Sequence, residues 1–374
     1  PNVFAHDIAC VLFTSGTTGN SKAVQMPWVQ LHATCAIGPR FERPGARQVY
    51  YLPYAPYHVS GRSALYCAAI TGTQTVIREV FSVSSFWEDI RQYRCTWTCL
   101  FSTPMRMLAN LPEQPDDADN TLELVLMNPL LPEVDALKRR FGFEVYSGYG
   151  MTEIGNAFVV SPDEAVSANA GGCGRPIPGI EAMIVDEHDY PADLGVPGEL
   201  VVRGTEPWMI MAGYQGAPEA TAMAWRNGWF HTGDMGRMDE KGNFYYLDRS
   251  KDMIRRRGEN ISSFELEAAV LTHPGVAEVA AVGVPSQLGD EEVLIAVVAK
   301  AGTGIDPAQL TSHLTKIVPR FAIPRYVRRL QALPKTQATQ RIQKHVIRNQ
   351  GVTDDTWDRL ADRPNGNIAG NIVR

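Results

Sequence analysis

One stretch of the chain combines glycines, hydroxyl side chains and a single lysine in a pattern that suits phosphate chemistry. It reads VLFTSGTTGNSKAVQMP from Val11 to Pro27, so a strand-like apolar run leads directly into a polar segment. Closely spaced glycines expose backbone N–H groups, the hydroxyls add donors, and Lys22 adds a mobile positive charge. A Walker loop is spaced differently, because here Gly16 and Gly19 are too close together and Ser21 precedes Lys22. We predict a polyphosphate-binding loop; the alternative, a flexible linker, is disfavoured by the strand-like run before it.

A second cluster, YSGYGMTEIG, runs from Tyr146 to Gly155. Tyr149 offers a flat face to a nucleobase, Thr152 offers a hydroxyl to a phosphate, and Glu153 offers a carboxylate oxygen of the kind that Mg²⁺ prefers. Taken alone, the same residues are explained equally well by a turn between two core elements.

A third cluster is GWFHTGDMGRMDEKGNFYYLDRSKD. Asp234 stands in a Thr-Gly-Asp turn, where its carboxylate is able to accept hydrogen bonds from two ribose hydroxyls, and an Asx-turn is the alternative. Arg249 and Lys251 follow, as phosphate contacts or as solvated charges.

The elements around these clusters predict an α/β protein with a second, smaller domain. From Asp7 to Leu137, apolar runs such as CVLF, QTVI and LELVLM alternate with helix-like stretches such as SSFWEDIRQY, which indicates α/β units around a largely parallel sheet. Between Gly171 and Asp248, short β-type runs separated by turn residues indicate an antiparallel sheet or a small barrel. From about residue 251, two helices and two strands indicate a compact α+β domain. We therefore expect domains at 1–250 and 251–349, followed by a loosely held tail at 350–374.

Composition excludes several classes of protein. The chain has 374 residues, 44% hydrophobic and 20% charged, with a net charge of -6, so there is no basic surplus to bind nucleic acid or an anionic membrane. No apolar run is long enough to span a membrane and residues 1–9 do not resemble a signal peptide, so we expect a cytoplasmic protein. The six cysteines contain no C-x-x-C pair, and we expect buried structural thiols instead of a metal site.

The clusters, in this order, resemble the motifs of the adenylate-forming enzymes, the family of acyl- and aryl-CoA synthetases, peptide-synthetase adenylation domains and firefly luciferase. FTSGTTGNSK resembles the phosphate loop of that family, YGMTE its adenine-and-magnesium motif, and HTGD its ribose motif. GELVVRG with MAGY resembles a structural signature, and DRSKDMIRRRGENISSFELE the hinge and thiol-channel motif. The likeness extends from Asp7 to Arg348, and the wording of the C-terminal part looks most like CoA ligases of the crotonobetaine/carnitine type.

The resemblance implies an ATP-dependent acyl-CoA ligase with ATP, Mg²⁺, coenzyme A and a small carboxylic acid as ligands, and it leaves a homodimer open. It also implies the fold: an α/β large domain with partly parallel sheets and a barrel-like segment, plus a mobile α+β C-terminal domain. In the two implied half-reactions, the acid attacks the α-phosphate of MgATP to give an acyl-adenylate, and the CoA thiol then displaces AMP.

Roles for individual residues also follow from the resemblance. Tyr149 would stack on adenine, Thr152 would contact the α-phosphate, Glu153 would bind Mg²⁺, Asp234 and Arg249 would hold the ribose, and Lys251 would be the hinge. The phosphate loop would hold the β- and γ-phosphates through Thr14, Ser15, Gly16, Thr17, Thr18, Gly19 and Lys22.

Three further residues or runs have a functional and a structural interpretation. His58, in PYAPYHVSG, matches a gate beside the acyl pocket, and a packed core histidine is the alternative. Gly258 would line the channel for the pantetheine arm of CoA, where a side chain would obstruct close approach. The run Arg255 to Arg257 would contact CoA phosphates or be solvated.

The sequence departs from the family pattern in two places. In LPKTQATQRIQKHVIR, Arg341 stands where the family has the lysine that bridges the carboxylate and the α-phosphate, and Lys344 or Lys335 are the candidate substitutes. An arginine keeps the charge but presents a broad planar group. The family also has a long segment before the phosphate loop, so we expect a large domain that lacks its N-terminal portion and leaves apolar surface uncovered.

These departures keep other hypotheses open. The main rival is a nucleotide- or acyl-CoA-binding relative with little or no turnover. An enzyme that loads a carrier protein instead of CoA ranks lower, because no carrier domain follows, and a P-loop kinase ranks lowest because the loop spacing differs.

Overall fold

The computed structural model describes residues 2–14, 22–35, 48–131, 133–160, 171–286, 289–336 and 340–361. Contacts divide the chain into two compact units. The large unit comprises Pro1–Leu247 together with Gln337–Arg341, and the small unit comprises Asp248–Thr336 together with Ile342–Arg374.

The large unit begins with a hairpin followed by a helix. Strands β1 (Ile8–Thr14) and β2 (Lys22–Pro27) pair antiparallel, and α1 (Trp28–Cys35) follows. The prediction that the CVLF run belongs to the largely parallel sheet is wrong, because the run pairs with β2, the next strand along the chain. Val11 and Phe13 on β1 are exposed.

The central part of the large unit is the predicted α/β layer. Its elements are β3 (Val49–Leu52), α2 (Val59–Thr71), β4 (Gln74–Ile77), α3 (Val83–Tyr93), β5 (Trp97–Phe101), α4 (Ser102–Ala109), β6 (Leu124–Asn128), α5 (Val134–Phe141) and β7 (Glu144–Met151). The parallel strands lie in the order β4-β3-β5-β6-β7, and each helix lies in the sequence between two of them.

Local sequence explains how these helices begin, end and pack. The Ser82 side chain caps α3 by accepting the N–H of Ser85, and Gly142 ends α5 in a left-handed conformation that favours glycine. Phe86 and Ile90 are four residues apart on α3, so they share one face and are fully buried in the main core of this layer.

The antiparallel part of the large unit continues the same sheet from β7. The elements are β8 (Gly155–Val160), β9 (Gly172–Pro176), β10 (Ile180–Val185), β11 (Gly198–Gly204), β12 (Gly213–Tyr214), α6 (Pro218–Ala224), β13 (Trp225–Arg226), β14 (Trp229–Met238) and β15 (Phe244–Arg249). Their order is β10-β11-β14-β15-β9-β8-β7, which confirms the predicted antiparallel strands. Strand β12 leaves this sheet and pairs with β2.

The small unit is an α+β structure around a four-stranded sheet in the order β18-β19-β20-β21. Its elements are β16 (Ile254–Arg256), β17 (Glu259–Ile261), α7 (Ser263–Leu271), β18 (Val276–Pro285), β19 (Glu291–Ala299), α8 (Pro307–Leu314), β20 (Tyr326–Arg329), α9 (Lys344–Gln350) and β21 (Trp357–Asp358). Both sheet faces are covered, because alternate residues of β18 belong to two different apolar clusters.

The prediction of a loosely held tail from residue 350 does not hold for residues 350–361. Strand β21 pairs antiparallel with β20, and the carboxylate of Asp358 lies 3.0 Å from the guanidinium of Arg325. A polar segment is held here by strand pairing and by ion pairs, the second of which joins Arg328 and Asp355 at 3.7 Å, and its composition does not reveal this. Residues 362–374 lie outside the described residues.

The six cysteines are free thiols and five of them are buried, which confirms the expectation of structural thiols. Burial raises the pKa of Cys99 to about 12, so this thiol stays protonated. Among the described residues, no helix has both the length and the apolar character needed to cross a bilayer.

Candidate active site

Thr14 and Lys22 face each other across the two strands that hold the predicted phosphate loop. They are register partners at the ends of β1 and β2, and the Thr14 hydroxyl lies 3.4 Å from the Lys22 carbonyl. The hairpin therefore delivers both ends of the loop to one place. The remaining predicted loop residues, Ser15, Gly16, Thr17, Thr18 and Gly19, lie outside the described residues.

Tyr214 connects the loop lysine to the predicted metal-binding carboxylate. The Lys22 Nζ lies 4.6 Å from the centroid of the Tyr214 ring, a cation–π distance. The Tyr214 hydroxyl donates to Oε1 of Glu153 at 3.1 Å. Tyr214 is in position because β12 pairs with β2, where it is the register partner of Val24. Two motifs far apart in the sequence thus meet at one side chain.

The backbone at Thr152 and Glu153 is fixed by partners from other elements. The fully buried Gln30 on α1 donates from Nε2 to the carbonyls of Thr152 and Glu153, at 3.0 and 3.1 Å. The N–H of Met211 donates to the same Glu153 carbonyl at 2.8 Å. Both predicted residues are buried, so their side chains are held in place by packing as well.

Tyr149 and Asp234 are in direct contact although they are 85 residues apart. The Tyr149 hydroxyl donates to Oδ2 of Asp234 at 2.5 Å. Burial, together with the Asp234 carboxylate, raises the pKa of Tyr149 well above its usual range, so the phenol remains a donor. Its ring packs against Phe158 edge to face and roughly parallel to Tyr246. The predicted base-binding and ribose-binding side chains are therefore in direct contact.

The turn that carries Asp234 is held by Glu199 on the neighbouring strand. Oε1 of Glu199 accepts the N–H of Gly233 at 3.0 Å, and Oε2 lies 2.9 Å from Nδ1 of His231. Within the turn, the Thr232 hydroxyl accepts the Asp234 N–H at 3.1 Å. Gly233 has a φ of 71°, a left-handed conformation in which a side chain would be strained. The turn is thus a capped structure that presents the aspartate.

Asp189, Glu199 and His231 form a group whose ligand atoms lie within 4.8 Å of one another. The Arg226 guanidinium contacts both carboxylates, with Nε 3.2 Å from Asp189 and an NH2 nitrogen 3.0 Å from Glu199. A cation therefore already compensates these acids. We interpret the group as an ion-pair network that supports the Asp234 turn.

His58 caps a helix. Its Nδ1 lies 2.6 Å from the Ser60 hydroxyl and accepts the Ser60 N–H at 3.3 Å, which satisfies the start of α2. The ring also meets Phe101 edge to face. Burial, and secondarily the positive charge of Arg341, lowers the pKa of His58 to about 4, so the imidazole is neutral near pH 7. This structural role accounts for its position, and the predicted gate role stays a prediction.

Arg249, Lys251 and Gly258 belong to the small unit. Arg249 starts a turn in which its carbonyl accepts the N–H groups of Asp252 and Met253, and half-buried Lys251 lies inside this turn. Gly258 follows Arg257 at the tip of the β16–β17 hairpin, with φ values of 81° and 55°. Two consecutive left-handed residues favour glycine at the second one. The turn by itself explains the glycine, and the predicted role of Gly258 in the pantetheine channel stays a prediction.

The arginine run is not uniformly solvated, and the predicted contact with CoA phosphates stays a prediction for its two exposed members. Arg256 is buried, and its guanidinium lies 2.7 Å from Glu292 and donates to the carbonyls of Phe321 and Ile323. Arg255 and Arg257 are exposed. The middle arginine is therefore a structural residue, because the alternating faces of β16 direct it into the small unit.

The two candidate substitutes for the family lysine already have partners within the small unit. Lys344 Nζ lies 2.7 Å from Glu267 and donates to the Ser263 hydroxyl at 2.6 Å. Lys335 Nζ lies 2.7 Å from Glu278. Burial opposes the charge on Lys344, but the Glu267 carboxylate and neighbouring acids raise its pKa overall. Their possible role in place of Arg341 stays a prediction.

Family models match most of the chain. The model for the AMP-binding enzyme matches residues 1–215, and that for the AMP-binding enzyme C-terminal domain matches residues 265–339. The chain belongs to the AMP-binding enzyme family. The predicted resemblance to adenylate-forming enzymes is confirmed.

Curated relatives of this AMP-binding enzyme are CoA ligases. A sulfoacetate–CoA ligase from Cupriavidus necator is 34% identical over 335 residues, covering 87% of this chain and 64% of that protein. A crotonobetaine/carnitine–CoA ligase from Citrobacter koseri is 30% identical over 359 residues, covering 92% and 68%. The predicted likeness to the crotonobetaine/carnitine type is confirmed. The chain spans about two thirds of the length of these relatives.

Solved structures agree with the fold of this AMP-binding enzyme. ATP-bound MatB from Rhodopseudomonas palustris has a TM-score of 0.81 at 27% identity, covering 93% of this chain and 69% of that one. O-succinylbenzoate coenzyme A synthetase (MenE) from Bacillus subtilis, in complex with ATP and magnesium ion, has a TM-score of 0.80 at 26% identity, covering 93% and 70%. The predicted fold class is confirmed.

Sequence reasoning missed three residues that organise the site. They are Gln30, Glu199 and Tyr214. Glu199 and Tyr214 stand in the two stretches, GELVVRG and MAGY, that were assigned a structural role only. For Tyr214, the available signal is its place in MAGY, which belongs to the predicted structural signature. Gln30 gave no signal beyond its polar side chain in an apolar helix.

Proposed function

We propose that this chain is the larger part of an ATP-dependent acid–CoA ligase that works through an acyl-adenylate. In the first half-reaction, a carboxylate oxygen attacks the α-phosphorus of ATP, the bond to pyrophosphate breaks, and acyl-adenylate forms. In the second, the CoA sulfur attacks the acyl carbon, the thiol loses its proton, and AMP leaves. Both are displacements at positioned groups, which suits a site that mainly orients substrates and compensates charge.

The observation that carries the proposal is the pair of long-range contacts in the large unit. Lys22 and Glu153 meet at Tyr214, and Tyr149 meets Asp234. A phosphate-binding lysine, a carboxylate for a cation, an aromatic face for a base and a carboxylate for a sugar are the groups that an ATP molecule needs. Their residue types match the motifs from which ATP binding was predicted.

The residues present fit a magnesium ion at Glu153. The residue is 5% exposed, its backbone carbonyl accepts hydrogen bonds from Gln30 and Met211, and its Oε1 accepts the hydroxyl of Tyr214. An oriented hard oxygen donor is what Mg²⁺ takes from a protein, with phosphate oxygens and water as the other ligands. When bound, the ion supplies charge compensation on the phosphates. Lys22 and the loop would hold the departing pyrophosphate, while Tyr149 and Asp234 would hold the nucleoside.

The test is exchange of labelled pyrophosphate into ATP in the presence of Mg²⁺ and a panel of small carboxylic acids. Sulfoacetate and crotonobetaine belong in the panel because relatives are named for them. We expect exchange that depends on one acid class, and a loss of about a hundredfold in Lys22→Met, which removes a phosphate donor. Glu181→Gln, which breaks an exposed ion pair with Arg203, is the control that should retain activity. A folded chain without exchange for any acid would contradict the proposal.

A second candidate, a nucleotide-binding relative without turnover, is favoured by Arg341. Its guanidinium contributes to the low pKa of His58, so a positive charge is present near that side chain, but in the broad planar form. In the same exchange assay, the ligase with a suboptimal cation should gain rate in Arg341→Lys. ATP binding by the wild type with no exchange in either form would support the second candidate.

A further inference from the structure

We propose that Tyr214 is a positioning residue that sets the affinity of the Glu153 carboxylate for Mg²⁺ and holds Lys22 at the start of β2, next in sequence to the predicted phosphate loop. This inference rests on the proposed function. No motif assigned a binding or catalytic role contains Tyr214, and it touches both predicted phosphate-site groups with different parts of one side chain.

Tyr214 is held in one orientation by burial and by its backbone. Its ring is 7% exposed, so the side chain has little freedom. Its backbone is fixed on two sides: β12 pairs with β2, and the Tyr214 N–H donates to the Thr221 hydroxyl at 2.9 Å. A buried phenol whose backbone is held in this way delivers its hydroxyl to one point, and that point is Oε1 of Glu153.

The Tyr214 hydroxyl orients the Glu153 carboxylate. A hydrogen bond of 3.1 Å to one oxygen fixes the rotation of the carboxylate group, and with it the direction of the second oxygen. Partners of this kind orient metal ligands, and their loss typically weakens metal binding by about 10- to 100-fold.

The Tyr214 ring also lies against the Lys22 ammonium. The ammonium lies 4.6 Å from the ring centroid of Tyr214, and Lys22 is the first residue of β2, immediately after the predicted loop. An aromatic face attracts a cation without neutralising it, so the charge stays available to an anion. The ring and the hydroxyl therefore have separable roles, one toward the loop cation and one toward the carboxylate.

The experiment compares Mg²⁺ dependence of nucleotide binding in variants of the full chain. The probe is a fluorescent ATP analogue titrated with Mg²⁺, so the readout is binding and not turnover. Tyr214→Phe keeps the ring and removes only the hydroxyl, and we expect the Mg²⁺ midpoint to rise about tenfold. Binding of the analogue without Mg²⁺ should change little, since Tyr149 and Asp234 are untouched. Tyr214→Leu also removes the ring and should weaken binding without Mg²⁺ as well.

The matched control is Tyr245→Phe. It removes a tyrosine hydrogen bond of similar length, 2.9 Å to Asp239, from a surface turn of the same unit. Its Mg²⁺ midpoint should equal that of the wild type. In a Glu153→Gln background, Tyr214→Phe should cause no further shift, because the proposed effect passes through that carboxylate. An additional shift of the same size in that background would overturn the proposal.

A second variant covers the case in which Tyr214→Phe does not fold. Thr221→Val keeps the tyrosine but removes the hydrogen bond that fixes its backbone, and it should raise the Mg²⁺ midpoint by a smaller factor. Unchanged midpoints in the folded variants, with normal Mg²⁺-dependent binding in the wild type, would overturn this inference alone. A wild type that binds the analogue without any Mg²⁺ dependence would overturn the inference and the proposed ligase together.

Discussion

At the scale of single residues, Glu199 shows how a site can depend on a side chain that contacts no substrate. Its two carboxylate oxygens hold the Gly233 N–H and the His231 ring, one and three residues before Asp234. Hydrogen bonds to a charged group contribute about 1.5–3 kcal/mol. The position of the Asp234 carboxylate therefore depends on Glu199 as much as on the turn itself.

We predict that Glu199→Gln weakens ATP binding about tenfold, because an amide has one acceptor oxygen and no charge where the carboxylate has two acceptor oxygens and a charge, and about 1.4 kcal/mol corresponds to a factor of ten. The preference for ATP over 3′-deoxy-ATP should shrink at the same time, since the ribose contact is the one disturbed. Calorimetry with both nucleotides measures this. Glu181→Gln on the adjacent strand is the control, and an unchanged preference in Glu199→Gln would show that the turn does not need the carboxylate.

At the scale of elements, a half-buried ion pair joins α9 to α7. Glu267 accepts the Ala281 N–H at 2.7 Å and also contacts Lys344, so helix, strand and helix meet at one carboxylate. Burial raises the pKa of Glu267, which means that its charge depends on Lys344. Removing one member of a fully buried pair costs about 3–5 kcal/mol, and the partial exposure of this pair lowers the expected cost to about 1–3 kcal/mol.

We predict that Lys344→Met destabilises the small unit by an amount in this range. The double variant Lys344→Met with Glu267→Gln should recover much of the loss, because the amide keeps an acceptor for Ala281 without the charge. Hydrogen exchange of the β18 amides in the full chain reports the change. Equal exchange in the wild type and in Lys344→Met would mean that the pair contributes no net stability.

At the scale of the whole molecule, the described groups proposed to bind base, metal ion and phosphate lie in the large unit. A ligand that binds only the folded state stabilises it by about 2.7 kcal/mol at a hundred times its dissociation constant. We predict that MgATP slows hydrogen exchange in β2, β7, β12 and β14, and leaves the β18–β19 core of the small unit unchanged. Mass spectrometry of the exchanged chain makes the comparison, with free pyrophosphate as the control ligand. Protection confined to the small unit would contradict the assignment of the site.

The sequence alone was sufficient for most elements and for the chemistry of the motifs. The continuous apolar run in β18 and the spacing of Phe86 and Ile90 in α3 are local patterns: the first indicates a strand buried on both faces, and the second indicates one buried helix face. Residue type and neighbours also predict Tyr149, Glu153 and Asp234 as site residues, and the contacts of Tyr149 and Glu153 support that prediction. Burial patterns and turn signals depend on residues a few positions apart, and that is why they can be read without a structure.

Only the tertiary structure decided which side chains meet. The CVLF run pairs within its own hairpin, Arg256 turns inward to Glu292, and Tyr214 reaches Glu153 across 61 positions because β12 joins β2. Such contacts depend on strand order and register, which are set by the packing of the whole unit. The sequence therefore determined what chemistry the chain carries, and the fold determined which residues hold that chemistry in place, because a hydrogen bond requires atoms to be close in space and imposes no spacing along the chain.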